Sequence, residues 1–407
     1  MTAESARGDH RGVLEALLER YDGTAVDPAR RPWRARLVVT GQEPQVFDAL
    51  VGRYDATLVP PGAGAPDTEL AAPPATWRRL GTEVNAGMAA HRRGDLRIRR
   101  NLHLAVSLLA ATAAPRPGRL EVHSIRTAAG RISTLQAGAG EPVLMLHGLG
   151  ATKSSFLPTV AALAPSHRVI AVDLPGFGDS DRPIGGAYDP AYFARAAAAV
   201  LDGLGIREAH VIGHSMGGRA ALELGMRHPG RVRSLTLMTP SLAWRRPRRW
   251  AASLRLLRPE LGLFHPAPTA LVDPLVRRLI PGGREGWAAV AVDEFLRVFA
   301  DPRGRAAFYA AARNIYLESP HGREGFWDRL PDLQPPALFI WGQRDPLVPA
   351  AFAPHVARAL PQAEHLHLDC GHVPQLERPE ALHGAIARFL AGHAVSHHRP
   401  AVRRLAG

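Results

Sequence analysis

The chain has 407 residues, 46% of them apolar, which is enough for two globular domains and too many for a disordered chain. Its 39 glycines and 36 prolines follow no three-residue period, so a collagen-like fold is excluded. The net charge is +13, yet Lys153 is the only lysine among 50 basic residues. So lopsided a use of arginine reads as coding bias, not as a nucleic-acid surface, where Lys and Arg usually mix in one cluster.

Cys370 is the single cysteine, which rules out an intrachain disulfide and a cysteine-based zinc site. No metal and no cofactor are expected. The first residues are polar and lack the apolar run of a secretory signal. The longest apolar stretch, Leu102 to Ala114, is shorter than the ~20 residues a membrane-spanning helix needs. The expectation is a soluble, cytoplasmic protein.

Residues 11–114 mix helical and strand patterns. Leu14–Leu18 has helical spacing, and Arg36–Thr40 and Asp55–Val59 read as strands. A helix is predicted over Ala75–His91, a short strand over Leu96–Ile98 and an apolar helix over Leu102–Ala111. This order, carried by Pro73–Leu80, Ala89–Ile98 and Asn101–Ala105, resembles a sterol-carrier-protein-like lipid-transfer domain. The resemblance implies an apolar cavity for a lipid or acyl chain. A carrier fused to an enzyme would raise the local concentration of an apolar substrate.

Residues 115–119 (Pro-Arg-Pro-Gly-Arg) read as a linker. From Leu120 to residue 393 short apolar runs alternate with helical stretches, the pattern of an α/β domain with a mostly parallel sheet. Leu120–Ile125 and Arg131–Gln136 alternate and read as an antiparallel start. Val143–Leu146, Val169–Val172, Ala209–Ile212, Val232–Met238, Ala337–Trp341 and Glu364–Leu368 are strands apolar enough to be covered on both faces. Helices are predicted over Asp189–Gly203 and Ser215–Arg227. Residues 240–335 show no strand pattern and form an insertion, read as a cap. Residues 394–407 are a basic tail.

Gly213-His214-Ser215-Met216-Gly217-Gly218 stands where a strand must turn into a helix. In such a G-x-S-x-G turn the serine is exposed on a strained backbone, and Gly213 and Gly217 let the chain pass close to itself. A serine hydroxyl needs a base, and the base an orienting acid. Asp345 follows the strand Ala337–Trp341, and His372 follows Glu364–Leu368, in the order Ser, Asp, His. The amides of Met216 and of Leu149, in His147-Gly148-Leu149-Gly150, are the candidate oxyanion donors. His147 and His214 are read as structural, and Cys370 as a small hydrophobe.

HGLG at 147–150, DLPGFGDSDRP at 173–183, GHSMGG at 213–218, WGQRDPLVP at 341–349 and CGHVPQLERPE at 370–380 resemble the landmarks of the α/β-hydrolase superfamily. The resemblance implies a Ser215–Asp345–His372 triad and a cap between the sixth and seventh strands. Haloalkane dehalogenases and epoxide hydrolases share that fold but use an Asp nucleophile, so Ser215 argues against both. Carbon–carbon bond hydrolases of aromatic ring cleavage keep the serine, but their oxyanion loop carries a Pro-Gly absent after Gly150 here. The expected activity is therefore hydrolysis of a small apolar or lipid ester through an acyl-serine. Carbon–carbon bond hydrolysis of a vinylogous diketone, or lipid binding beside an idle hydrolase domain, stand as alternatives.

Trp244–Arg258 carries six arginines and no acid, interleaved with Trp244, Trp250, Leu254, Leu256 and Leu257. Such a segment can rest on an anionic membrane surface. A solvated cap face is the favoured alternative, given the arginine bias of the whole chain.

Overall fold

The structure is a computed structural model that describes residues 10–28, 31–80, 86–245, 253, 256, 258–264, 272–274, 276–277 and 286–394. The first sheet contains β1 (Trp33–Val39), β2 (Gln45–Val51), β3 (Ala56–Val59), β4 (Thr68–Ala72) and β5 (Arg97–Arg99), in the order β3-β2-β1-β4-β5. β1 and β4 are parallel and the other pairs antiparallel. Along β1, Trp33, Ala35, Leu37 and Val39 all point inward, the period of a strand with one buried face. The helices His10–Leu18 and Leu102–Ala111 pack on this module. The second of them starts at Asn101, whose side chain accepts the Leu104 amide at 3.1 Å.

Two of these strands have no counterpart in the sequence reading. β2 buries Asp48, which takes a forked hydrogen bond from Arg36, so a charge interrupts its apolar pattern. β4 is Thr-Glu-Leu-Ala-Ala, and alanine has little intrinsic strand preference. The helix expected over 75–91 is two helices, Pro74–Arg79 and Ala86–Arg92. The first stops because Leu80 turns to an extended ψ of 134°. Residues 81–85 lie outside the described residues.

The second sheet has eight strands: β6 (Glu121–Thr127), β7 (Gly130–Ala137), β8 (Glu141–Leu146), β9 (His167–Val172), β10 (Ala209–His214), β11 (Val232–Met238), β12 (Ala337–Gly342) and β13 (Glu364–Leu368). Their order is β13-β12-β11-β10-β8-β9-β7-β6. β6, β7 and β9 pair antiparallel, and from β9 through β13 every neighbour is parallel. Each apolar run singled out from Val143 onward lies in one of these strands. The crossover helix Pro190–Gly203 begins at Asp189, which accepts the Tyr192 amide at 2.7 Å, with Pro190 at its first position. Between β11 and β12 stand the cap helices Gly286–Ala300 and Pro302–Leu317 and the short helix Phe326–Arg329. No strand interrupts that interval among the described residues.

One apolar core runs through both parts of the chain. It joins Leu17, Leu37, Trp77 and Leu108 of the first module to Phe156, Leu163, Ile386 and Phe389 of the second. A bridge pairs Val26 with Val122 beside this core, and Arg119 reaches Asp22 at 2.6 Å.

Of the basic segment 244–258, only Trp244, Arg245, Ser253, Leu256 and Arg258 are described. Trp244 packs edge-on against Phe352 at 5.3 Å, and Leu256 is exposed. The rest of that segment and the tail beyond residue 394 lie outside the described residues. Among the described residues no helix is long and apolar enough to cross a membrane.

Candidate active site

Ser215 stands between β10 and the helix Met216–Arg227 with φ 52° and ψ −116°, a backbone that costs a non-glycine residue energy. The glycines around it permit the turn. A β-carbon on Gly213 would lie 2.5 Å from the Gly217 carbonyl oxygen, and one on Gly217 would lie 2.0 Å from that of Leu146. No side chain fits at either position.

The parallel strand ends bring three distant side chains together. Ser215 Oγ lies 2.9 Å from His372 Nε2, and His372 Nδ1 lies 2.7 Å from Asp345 Oδ2. Asp345 is buried, and its other oxygen accepts the amides of Leu347 at 2.8 Å and Val348 at 3.0 Å. The carboxylate is therefore fixed on both sides, and its free choice of partner is the imidazole. Met216 opens the helix directly after Ser215. Leu149 follows Gly148, where an added β-carbon would come within 3.2 Å of Ser215 Cβ. The two candidate oxyanion residues thus flank the serine.

The loop that carries His372 is itself held. The His372 carbonyl accepts His214 Nε2 at 2.8 Å and Thr239 Oγ1 at 3.0 Å. Glu377 accepts the amides of Gly371 at 2.7 Å and Val373 at 3.0 Å. Burial, followed by the neighbouring His372 ring, pushes His214 down to about 3, so His214 is neutral and its Nε2 carries the proton it donates. His147 receives the Leu174 amide at Nε2 (3.0 Å), which leaves Nδ1 to donate to the Gly148 carbonyl at 2.8 Å. Cys370 is buried, and burial, with Glu377 and Asp345 adding to it, pushes its thiol up to about 11. It is no nucleophile at neutral pH.

The decisive comparison concerns the segment that builds this arrangement. Residues 141–379 match the alpha/beta hydrolase fold family. The chain belongs to that family. A 2-hydroxymuconate semialdehyde hydrolase of Pseudomonas putida is 32% identical over 274 residues, covering 62% of this chain and 88% of the relative. A 2-hydroxy-6-oxononadienedioate/2-hydroxy-6-oxononatrienedioate hydrolase of a Pseudomonas species is 31% identical over 287 residues, covering 64% of this chain and 92% of the relative. Among solved structures, a thermophilic esterase from Thermogutta terrifontis superposes with a TM-score of 0.56 at 26% identity, covering 67% of this chain and 100% of the esterase. This α/β hydrolase is an enzyme of the hydrolase class.

Helices inserted between β11 and β12 press on the turn that carries Leu149, the candidate oxyanion residue. Gly150 has φ 71°, and a β-carbon there would meet the Phe295 ring at 2.7 Å and the Phe308 ring at 3.2 Å. Phe295 stacks on Phe299 at 5.5 Å and meets Phe308 edge-on at 5.5 Å, so both long cap helices contribute to one aromatic cluster. The cluster therefore packs apolar rings directly against the turn at Gly150.

Sequence reasoning missed a buried charge cluster beside this turn. Lys153 Nζ donates to Asp173 at 2.6 Å and lies 3.6 Å from Asp179. Arg297 of the first cap helix forks onto Asp179 at 3.2 Å and onto Glu294. His103 of the N-terminal module places Nδ1 3.2 Å from Asp179, without the alignment of a hydrogen bond. Burial opposes the charge of Lys153, but Asp173 and Asp179 outweigh it and hold the amine above its usual value. Burial alone would raise Asp179; His103, Arg297 and Lys153 together hold it well below the carboxylate range. One signal did point here. In a chain that otherwise uses arginine, position 153 keeps lysine. A compact ammonium fits between two buried carboxylates where a guanidinium fork does not. Among the described residues no group of three His, Cys, Asp or Glu could hold a metal ion.

Proposed function

We propose that this enzyme hydrolyses a carbonyl compound through an acyl-Ser215 intermediate, and that its bond is the carbon–carbon bond of a conjugated oxo acid. The observation that carries the mechanism is the unbroken chain from Ser215 through His372 to Asp345. His372 takes the hydroxyl proton while Ser215 Oγ adds to the carbonyl carbon. Asp345 holds the imidazole in the tautomer that receives a proton at Nε2 and stabilises the resulting cation. The Met216 and Leu149 amides receive the negative charge on the carbonyl oxygen. Collapse of the adduct expels the leaving group, which takes up the proton from His372. Water, deprotonated by the same imidazole, then releases the acid and restores the serine hydroxyl.

The choice of bond follows the relatives, two of which are named for ring-cleavage oxo acids. In that substrate the 2-hydroxy dienol must first ketonise, its hydroxyl proton leaving and a proton adding to the carbon next to the 6-oxo group. That carbon then departs as a conjugated dienolate of the new 2-oxo group, a far better leaving group than a simple carbanion. Ester hydrolysis is the second reading. The likeness to a solved esterase favours it, as does the missing Pro-Gly after Gly150.

One experiment separates the two. The full chain is given a 2-hydroxy-6-oxo-dienoate, whose colour bleaches on cleavage, and p-nitrophenyl butyrate. Carbon–carbon hydrolysis predicts at least ~100-fold higher kcat/KM on the dienoate, a difference of about 2.7 kcal/mol in transition-state binding. The reverse ratio establishes the esterase. Ser215→Ala is expected to abolish both, and retention of either activity overturns the nucleophile.

For the N-terminal module we propose a carrier-type role toward the apolar part of the substrate. Its resemblance in element order to a lipid-transfer domain supports this. A lipid that co-purifies with the full chain, found by mass spectrometry, is the expected result. Its consistent absence argues for a purely structural module.

A further inference from the structure

The inserted helix Gly286–Ala300 lies between the N-terminal module and the turn that carries Leu149. At ~100° per residue, its Asp293 and Arg297 stand on one side and its Phe295 and Phe299 on the opposite side. The charged side meets the N-terminal module. Arg99, at the end of β5, forks onto Asp293, Nε donating to one oxygen at 2.7 Å and Nη2 to the other at 3.2 Å. Asp293 is only 14% exposed, so its charge is held mostly by protein and not by water. One turn further along, Arg297 donates to Asp179 at 3.2 Å, and His103 of the N-terminal module faces the same carboxylate. The module thus holds the helix at two successive turns, once directly and once through Asp179.

The backbone between these two contacts is strained and pinned. Arg100 has φ 74°, a left-handed conformation that costs an arginine energy. After it, Asn101 caps the helix that carries His103. The buried Thr68 hydroxyl, on the neighbouring β4, donates to the Asn101 carbonyl at 2.8 Å. Such strain persists only where the surroundings fix the chain, and here it fixes Arg99 and His103 relative to one another.

The aromatic side of the helix meets the turn. The Phe295 ring fills the space a β-carbon on Gly150 would need, at 2.7 Å. Two residues earlier, a β-carbon on Gly148 would come within 3.2 Å of Ser215 Cβ. Leu149 lies between these two close approaches. A shift of the helix therefore moves the ring that backs Leu149, because a close-packed interior transmits displacement. Oxyanion donors act over a range of only a few tenths of an ångström.

We propose that Arg99 is a positioning residue for the hydrolysis: through Asp293 and the inserted helix it sets the turn 148–150, and with it the Leu149 amide, against Ser215. The catalytic half of this inference rests on the hydrolytic reading above, in either of its forms. It gives the N-terminal module a hold on the site that is separate from carrying substrate.

Two measurements on the full chain test it. Hydrogen exchange, followed by mass spectrometry, reads the turn without any reaction. In Arg99→Met a peptide covering 147–153 is expected to exchange at least ~3-fold faster, while one covering β1 keeps the parent rate. Diethyl p-nitrophenyl phosphate reads the site: Ser215 Oγ adds to phosphorus, p-nitrophenolate leaves, and His372 takes the hydroxyl proton. Arg99→Met is expected to lower the limiting rate of this labelling about fivefold and to leave the half-saturating concentration within about twofold. That split marks lost transition-state contacts, which a merely structural residue would not produce. Arg99→Lys should recover part of the rate, and Arg99→Met should add nothing to Asp293→Asn. Unchanged exchange at 147–153, with a native melting curve, overturns the hold on the turn. Faster exchange with an unchanged labelling rate overturns the role in hydrolysis. Multiplying effects of Arg99→Met and Asp293→Asn overturn the path through Asp293. A parent chain whose Ser215 is never labelled fails the hydrolytic reading instead, and exchange still decides whether Arg99 holds the turn.

Discussion

The two sheets each bury an aspartate, and they use it differently. In the five-stranded sheet, Asp48 on β2 accepts Arg36 at 2.9 and 3.2 Å, the Gly62 amide at 2.8 Å, and lies 3.5 Å from Arg34. In the eight-stranded sheet, Asp345 follows β12 and accepts two backbone amides and His372. Both carboxylates are saturated. The partners of Asp48 are permanent cations, so nothing about that site can change charge. The partner of Asp345 is an imidazole whose far nitrogen ends on a serine hydroxyl. A buried charge becomes chemistry only when its last partner can gain and lose a proton.

The same substitution at both positions tests that contrast. Asp345→Asn is expected to lower kcat by about 10³–10⁴ with the protein still folded, because an amide favours the wrong tautomer of His372. Asp48→Asn is expected to destabilise the chain in urea, since it leaves Arg36 without its ionic partner, while kcat/KM per folded molecule stays within about twofold. Loss of catalysis in folded Asp48→Asn would break the comparison. A smaller effect is expected beside the oxyanion turn. Lys153→Met leaves Asp173 and Asp179 short of a buried cation and is expected to cost about 3–5 kcal/mol of stability, read from urea unfolding. Lys153→Arg should recover only part of it, because the site is shaped for a compact ammonium.

Legibility follows the same division. The strands β8 to β12 carry apolar runs buried on both faces, and such runs stand out in a sequence. The edge strand β13, Glu-His-Leu-His-Leu, is only partly buried and alternates Leu with polar residues. The elbow was equally visible, since Gly213 and Gly217 are imposed by backbone contacts of 2.5 and 2.0 Å that no other residue survives. Asp345 and His372 were found by position after strand ends. β2 and β4 escaped notice because a satisfied buried charge and a run of alanine both erase alternation. Of the cluster of Lys153, Asp173, Asp179, Arg297 and His103, the lone lysine was the one visible signal, and the cluster as a whole stayed hidden for a different reason. Its members come from the N-terminal module, two core loops and the cap, and only tertiary packing makes them neighbours. The hydrogen bonds that His214 and Thr239 donate to the His372 carbonyl were hidden in the same way.

The smallest expected effect compares two histidines whose shifts have opposite signs. His123 on β6 lies 3.6 Å from Asp27 at the junction of the two modules, and the Asp27 carboxylate beside it raises it from its usual value. His214 in the site is pushed down to about 3, chiefly by burial. A raised histidine binds its proton more tightly when folded. Its contribution is complete below pH ~6.5 and is lost as pH rises through the folded value. A depressed histidine does the opposite, contributing above pH ~6.5 and losing that contribution as pH falls toward 3. His123→Gln should therefore lower stability near pH 5.5 and leave it unchanged near pH 8.5. Because Asp27 is 42% exposed, solvent screening keeps the difference below about 1 kcal/mol. His214→Gln should flatten the decline of stability between pH 6.5 and 4.5 expected of the parent chain. Urea midpoints across that range measure both. If both variants changed stability by the same amount at every pH, the junction and the site would not differ in how they hold a proton.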